Sequence, residues 1–536
     1  MGGSLARRGA AWAVVVACAV VLFGISGSGY ATTPTTLTIA LGIDADTLDP
    51  LGQTTATVSN IVDYMFDPLI WYNDERSGAG PGQPQYTKLV GQLATSWTIS
   101  PDGRTYTVKL RQGVKFQDGT AFDAQAVKFN IERALDPSVR NSARYYWSAL
   151  DTSKIETPDP YTIVLHFKQP NATLPEELAT TAAEIVSPAA AKALGNAKVA
   201  LAPVNAGSGP YLFKEWVHGD HITLARNPDY WGRKPFFDQV IFRVVPNAGT
   251  RETMLRAGDA QMAFEPPAPD VPAMRKDPSL RVVEGPTDRD IFIGMNNLYG
   301  PLKDARVRQA LNYAVNKQAL IHSVIFGLAT VLESPTTPNL FGYTRIQPGG
   351  WPFDPARAKQ LLTEAGYPNG FSIAFRAPTG RYIQDYQAAQ AIAAQLANVG
   401  VKATVETADW PSYIGALAVP ADRTPIQMYM LGQAGPYLDA AAQLFGVFYS
   451  GLWPPHGYIA TFYKDPKVDQ LLLDGQTTMN PKERQAIYKE AQEAIWKDAP
   501  WIFLWAQNFY VVTSSHLEGV SIVPTEKWAA IYATWK

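Results

Sequence analysis

The sequence predicts an α/β protein built as more than one lobe, and three observations carry that prediction. Its 536 residues exceed the roughly 250 to 300 at which a single hydrophobic core stops growing. Apolar residues recur with period 2 in some segments and period 3.6 in others, and the two kinds alternate along the chain, which is the pattern of helices covering sheets. At 46% hydrophobic and 18% charged, the chain has material for several cores. No repeat of fixed period is found.

Taken in order, Leu37 to Leu41 alternates as a first strand and ends in the polar loop Gly42 to Pro50. Val58 to Leu69 reads as a helix with Ile61, Met65 and Leu69 on one stripe. Ser77 to Pro84, rich in Gly and Pro, reads as a flexible surface loop. Leu93–Trp97 and Tyr106–Leu110 flank Ser100-Pro-Asp-Gly103, a turn signal between two alternating runs and hence a hairpin. Asp123 to Leu135 is an amphipathic helix, with Asp123 as its cap and Val127, Ile131 and Leu135 facing inward. In the stretch Gly207 to Gly232, Tyr211, Phe213 and Glu215 share one face of an extended run and Leu212, Lys214 and Trp216 the other. Gly219-Asp220 turns it, Ile222 and Leu224 carry the return strand, and Asn227-Pro228-Asp229 stops it. Ile291 to Asn297 is a further strand. Asp304 to Lys317 is a helix stacking Val307, Leu311 and Val315, and Tyr386–Val399 and Pro481–Trp496 are helices too. Phe371–Phe375, Val401–Thr407 and Trp501–Trp505 are strands, the last fully buried.

The N-terminus reads as a signal peptide over residues 1–31. Arg7-Arg8 precedes an uncharged apolar run, Ala10 to Ile25, with small residues ending at Ala31. A lipid on Cys18, within Val15-Val16-Ala17-Cys18, and retention of the segment as an uncleaved anchor both stay open. The export signal places the protein in the periplasm. If Cys18 leaves with the signal, the mature chain has no cysteine and stability must come from burial. A formal charge of −2 gives no field suited to nucleic acid.

Several of these stretches share their wording and order with a known family. Leu48-Asp49-Pro50, Leu93-Ala-Thr-Ser-Trp97, Leu110-Arg-Gln-Gly-Val-Lys-Phe116, the 207–232 hairpin, Thr250 to Asp259 and Leu302 to Ala314 together resemble the family-5 extracytoplasmic solute-binding proteins. These are the peptide, dipeptide, glutathione and nickel receptors of bacterial ABC importers. The resemblance implies a two-lobed, periplasmic-binding-protein-like type II fold with an additional subdomain in the first lobe. Lobe I would comprise residues 35–60, 205–285 and 506–536, the auxiliary subdomain 61–204 and lobe II 286–505. It further implies a monomer that captures a small-molecule or short-peptide ligand by hinge closure and delivers it to the transmembrane subunits of an ABC permease.

Such a cleft needs polar groups on loops between aromatic walls, and four segments qualify. Asn296 and Asn297 lie at the presumed crossing between lobes, where an amide either meets a ligand or caps the next turn. Arg381, beside Tyr382 after the strand Phe371–Phe375, suits a ligand carboxylate. For Trp453 wall and core both stay open, while Trp410 reads as core. The fourth segment, Met430 to Leu444, contributes Gln433, Tyr437 and Asp439. In peptide-binding relatives the matching loop carries an acid that pairs with the peptide ammonium, and here that position falls on Gly435. Either Asp439 replaces that acid or the ligand is not an ordinary peptide but an oligosaccharide, a conjugate or a chelated metal.

No Gly-x-Ser-x-Gly elbow, phosphate loop or His-Glu-x-x-His is present. Of six His, only His218 and His221 are close, and they bracket a turn. We therefore expect no cofactor, no metal and no catalysis, the rival from another class being an exported peptide or glycan hydrolase.

Overall fold

A computed structural model describes residues 35–52, 55–74, 85–141, 143–408, 410–457 and 459–536. The signal segment, Cys18 and the loop Ser77 to Pro84 lie outside the described residues. Residues Thr35–Lys536 form one compact unit, organised on an eleven-stranded mixed sheet. Two long antiparallel strands, Leu280–Met295 and Trp501–Ser514, run through its middle. On one side their outer parts carry Met262–Phe264, Thr36–Leu41, Gln239–Val244, His221–Arg226 and Tyr211–Val217. On the other they carry Met428–Gln433, Phe371–Pro378 and Val401–Ala408.

The pairing of the two long strands breaks register between Pro286 and Asp290, so the sheet changes course there. Beyond the break, all nine residues from Thr287 to Met295 are buried, and Phe292 stacks on Trp501 with ring centroids 3.5 Å apart. Both faces of this part of the sheet are thus covered, as expected where apolar residues run on without alternation.

A separate antiparallel sheet, ordered Ala94–Ile99, Thr105–Leu110, Thr162–Phe167 and Leu150–Asp159, packs with helix Ala124–Leu135 over its own core, which includes Tyr106, Phe122 and Val127. Asp123 caps that helix, its Oδ1 accepting from the Ala126 N–H at 2.9 Å.

One buried carboxylate gathers three side chains of the stretch 207–232. Asp67, fully buried, accepts from Ser208 Oγ (2.8 Å), Tyr230 Oη (3.2 Å) and Trp231 Nε1 (3.1 Å). Gly207 and Gly209 lie so close to Met65 that an added Cβ would stand 1.9 Å and 2.7 Å from its carbonyl oxygen. The motif's glycines therefore answer a close backbone approach. The face assignment on this hairpin changes midway, because the pairing shifts register between Phe213 and Glu215. Tyr211 and Phe213 are buried but Glu215 is exposed, and Trp216 packs inward with Nε1 donating to Asp44 at 3.0 Å. One extra residue in a strand exchanges its two faces.

Two helices are shorter than their periodicity predicts. The first spans Ala56–Val62, since the backbone at Tyr64 and Met65 instead accepts from the N–H groups of Tyr211 and Gly209, each at 2.9 Å. The stretch 304–317 gives Ala305–Tyr313, and a separate helix starts at Lys317, capped by Asn316 Oδ1 on the Ala319 N–H. The expected limits at 60/61, 285/286 and 505/506 fall inside a helix and the two long strands.

Candidate functional site

Beside the register break lies a cavity of about 720 Å³. It is lined by Thr55 and Ser59 at the start of helix Ala56–Val62, the turn residues Tyr145 and Tyr146, Thr180 and Thr181, Asp288 and Arg289 of the first long strand, Ala434, Gly435 and Pro436 after strand Met428–Gln433, and Thr525, Glu526 and Lys527 of the C-terminal segment. A second cavity of about 430 Å³ shares Tyr145, Tyr146 and Pro436 with it and adds Glu177, Tyr437 and Phe445. Tyr146 and Tyr437 meet edge to face, centroids 6.0 Å apart.

The charges around the larger cavity are mostly paired. Arg289 donates from Nε and Nη2 to the two carboxylate oxygens of Glu526, the second contact at 2.5 Å, and from Nη1 to the Gly432 carbonyl at 3.2 Å. Burial works against the charge on Glu526, but Arg289 outweighs it and holds the carboxyl below its usual range. Lys527 reaches Asp63 at 3.0 Å and lies 4.9 Å over the Trp71 ring. Asp290, behind the wall, accepts from the Gln433 N–H (3.3 Å) and Gln443 Nε2 (2.8 Å). Asp288 is fully buried. Its Oδ2 accepts from the Gly435 N–H at 2.8 Å, while among the described residues Oδ1 has no hydrogen-bond partner. Burial, reinforced by Glu526, pushes its carboxyl well above the ordinary range.

Of the sequence candidates, the structure brings Tyr437 to the wall of the smaller cavity. Gln433 is buried directly before Ala434, to whose carbonyl its Nε2 donates at 3.2 Å. Tyr382 lies beneath Arg289, whose guanidinium is 5.9 Å from its ring centroid, and its hydroxyl accepts from the Gly432 N–H at 2.8 Å. Arg381 is exposed and covers the rings of Tyr382 and Trp410 at 5.2 and 5.1 Å. Neither borders either cavity.

Four further candidates have polar atoms engaged inside the protein and border neither cavity. Asn296 donates to the Ile426 carbonyl at 2.8 Å and caps a turn through the Leu298 N–H at 2.9 Å. Asn297 bonds the carbonyls of Met295 (2.7 Å) and Thr461 (3.1 Å). Trp453 donates to the Tyr463 carbonyl at 2.9 Å and packs edge-on to Phe462. Asp439, 0% exposed, caps helix Ala440–Phe448 through the Ala441 N–H and forms a bidentate pair with Arg484, at 2.7 and 2.8 Å. It is a buried structural carboxylate already supplied with a cation.

Two further acids stand beside that pair. Burial, with Asp439 adding repulsion, raises the Glu176 carboxyl to about 8, and burial raises Glu177 to about 7. A carboxyl raised in the folded state contributes stability that is full below its unfolded value near 4.5 and is lost as pH rises through about 8. Glu176→Gln should therefore flatten the fall in melting temperature between pH 5 and pH 8.5. Parallel melting curves for variant and wild type across that range would refute this.

Sequence reasoning missed Asp288, Arg289, Glu526, Tyr145 and Tyr146. A signal existed for the first two, since Asp288-Arg289-Asp290 places three charges directly before the apolar run Ile291–Met295. Glu526 and the tyrosine pair carried no local signal.

With this geometry in hand, the comparisons with known proteins decide the family. The model of the bacterial extracellular solute-binding proteins, family 5, matches residues 88–454. The chain belongs to that family. It is similar to the glutathione-binding protein GsiB of Pectobacterium atrosepticum, 34% identical over 492 residues that cover 91% of each chain. The structure of HbpA2 from Haemophilus parasuis superposes with a TM-score of 0.81 at 25% identity, covering 94% of this chain and all of the other. That of the periplasmic binding protein DppA from Helicobacter pylori, in complex with the peptide STSA, does so at 0.73 and 26% identity, covering 94% and 98%. The fold is the two-lobed type II fold of periplasmic binding proteins, and the family and the relatives are binding proteins rather than enzymes. Among the described residues no group of His, Cys, Asp and Glu is arranged to hold a metal, and no helix is long and apolar enough to cross a membrane.

Proposed function

We propose that this protein captures a peptide-like solute in the paired cavities and passes it unchanged to the membrane subunits of an ABC importer, acting outside the cytoplasm as a monomer. The observation that carries this reading is the larger cavity. Its about 720 Å³ falls within the range of pockets that enclose small ligands, roughly 300 to 1,000 Å³. Its walls come from both sides of the two long strands, and it joins tyrosine rings to a charged end. The relatives' glutathione and peptide ligands support the same class of solute.

In this reading residues 35–60, 205–285 and 506–536 are lobe I, 61–204 the auxiliary subdomain and 286–505 lobe II. The register break at Pro286 and Asp290 is the hinge, because a strand whose ladder is locally interrupted absorbs bending at small cost. Tyr437 walls the smaller cavity, while Gln433, Arg381 and Tyr382 support the hinge side. A ligand that touches both sides stabilises the approached arrangement by its differential affinity alone. Catalysis requires a nucleophile or an acid–base pair facing the cavity with room for substrate, and Glu526, the best-placed acid, is held by Arg289.

The test is mass spectrometry of what co-purifies with the mature protein, followed by calorimetry and small-angle scattering with glutathione and a panel of di- and tripeptides. A peptide-like compound recovered at its original mass, with contraction of the particle on binding, is the expected result. Recovery of hydrolysed product would overturn the reading.

A further inference from the structure

We propose that the contact of helix Leu174–Glu177 with the Asp439–Arg484 pair is a proton-operated latch between the auxiliary subdomain and lobe II, closing the protein on its solute more firmly at acidic than at alkaline pH. The proposal rests on the capture reading above and adds its regulation. The two parts meet along a seam beside the smaller cavity, which Thr173 and Glu177 border. Across it Ala172 donates its N–H to the Gln476 carbonyl at 3.0 Å, Leu438 donates its N–H to Tyr72 Oη at 3.3 Å, and Tyr146 meets Tyr437 edge to face. Gln476 adjoins Gly475, whose carbonyl accepts from Arg484 Nε at 2.6 Å. The seam thereby brings Asp439 and Arg484 within electrostatic reach of Glu176 and Glu177.

Three carboxyls share one guanidinium here, and Arg484 is committed to Asp439 by its bidentate pair. Among the described residues neither glutamate forms an ion pair. Glu177 accepts from Thr173 Oγ1 at 2.8 Å and Asn171 Nδ2 at 3.3 Å, while Glu176 Oε2 is shut off from solvent and accepts nothing. A negative charge on either would stand beside Asp439 away from water, so the seam is made with both carboxyls protonated. Burial acts in the same direction, to about 8 at Glu176 and about 7 at Glu177. The other titratable groups facing the cluster are Tyr437 and Tyr488 from lobe II and Tyr72, Tyr106 and Tyr146 from the subdomain, all kept neutral by burial, and Tyr145, which borders the same cavity. Parting the seam admits water and returns both glutamates toward the ordinary value of 4.5, so closure takes up protons. The contribution to closure is full below that open-state value and is lost as pH rises through the raised values.

The experiment is small-angle scattering on the full mature chain without solute, at about pH 5.5 and pH 8.5, for wild type and Glu176→Gln, followed by calorimetry with glutathione and a tripeptide at the same two values. Glu176 borders neither cavity, and melting temperatures check that the variant is folded. On going to the higher pH the wild type should expand by about 1 Å or more in radius of gyration and lose about tenfold or more in affinity. Glu176→Gln, whose amide does not ionise, should lose most of both changes. Comparing variant with wild type cancels the titration of the solute itself and of carboxyls elsewhere in the protein. A wild-type radius or affinity independent of pH, or changes of equal size in Glu176→Gln, would overturn the latch. If the radius responds as expected and neither probe binds, the peptide reading fails and the latch stands. If the probes bind with affinities that follow pH alike in variant and wild type, the latch fails and the reading stands.

Discussion

Replacing Asp439 by alanine should destabilise the protein by about 3–5 kcal/mol, as expected when one partner of a buried ion pair is removed. Arg484, its side chain 4% exposed, would keep its contacts to the Gly475 carbonyl (2.6 Å) and Tyr488 Oη (3.0 Å). Its charge would face a buried site with only the two raised glutamates nearby, and helix Ala440–Phe448 would lose its cap. Urea denaturation followed by tryptophan fluorescence measures the loss. The double variant Asp439→Leu/Arg484→Leu should recover much of it, since the uncompensated guanidinium is gone. Solute affinity, measured where the variant is folded, should change little, because Asp439 borders neither cavity. A small stability loss with a large affinity loss would restore Asp439 as a ligand residue and refute the structural assignment.

Replacing Arg289 by methionine should cost about 2–4 kcal/mol, less than at Asp439 because the Arg289 and Glu526 side chains stay 10% and 18% exposed. It would leave Glu526 and Asp288 without the guanidinium and with Lys527 committed to Asp63. The pH dependence separates this from a simple packing loss. In the wild type Glu526 lies below its usual range, so its contribution is present above the unfolded value and lost as pH falls. In Arg289→Met burial and Asp288 are opposed only by the smaller pull of Arg381, the carboxyl rises, and stability falls instead as pH rises. The gap in melting temperature between variant and wild type should therefore be wider at pH 8 than at pH 5. A gap independent of pH would mean that the arginine acts through packing.

Much of the fold was legible because its signals are local. Period-2 alternation placed strand Tyr211–Val217, and Asp123 marked the start of helix Ala124–Leu135. Where the reading failed, a partner distant in sequence had intervened. Tyr211 and Gly209 took the carbonyls that helix Ala56–Val62 would have used to continue, and a register shift opposite Thr223 turned Glu215 outward. The candidate site was less legible for the same reason. Asn296 and Asn297 follow a strand end and Asp439 starts a helix, as cleft residues do, but such residues also satisfy buried backbone and buried cations. Sequence spacing does not distinguish the two uses.

The sequence by itself determined the family, the α/β class and the absence of an acid at Gly435, since these depend on residue identity and short-range order. Only the tertiary structure decided which charges remain open. Asp439 met Arg484 and Glu526 met Arg289 across separations of 45 and 237 residues, while among the described residues Asp288 was left with one oxygen unclaimed. Electrostatic pairing in a low-dielectric interior depends on distance in space, and that distance is set by how the sheet brings its strands and the C-terminal segment together.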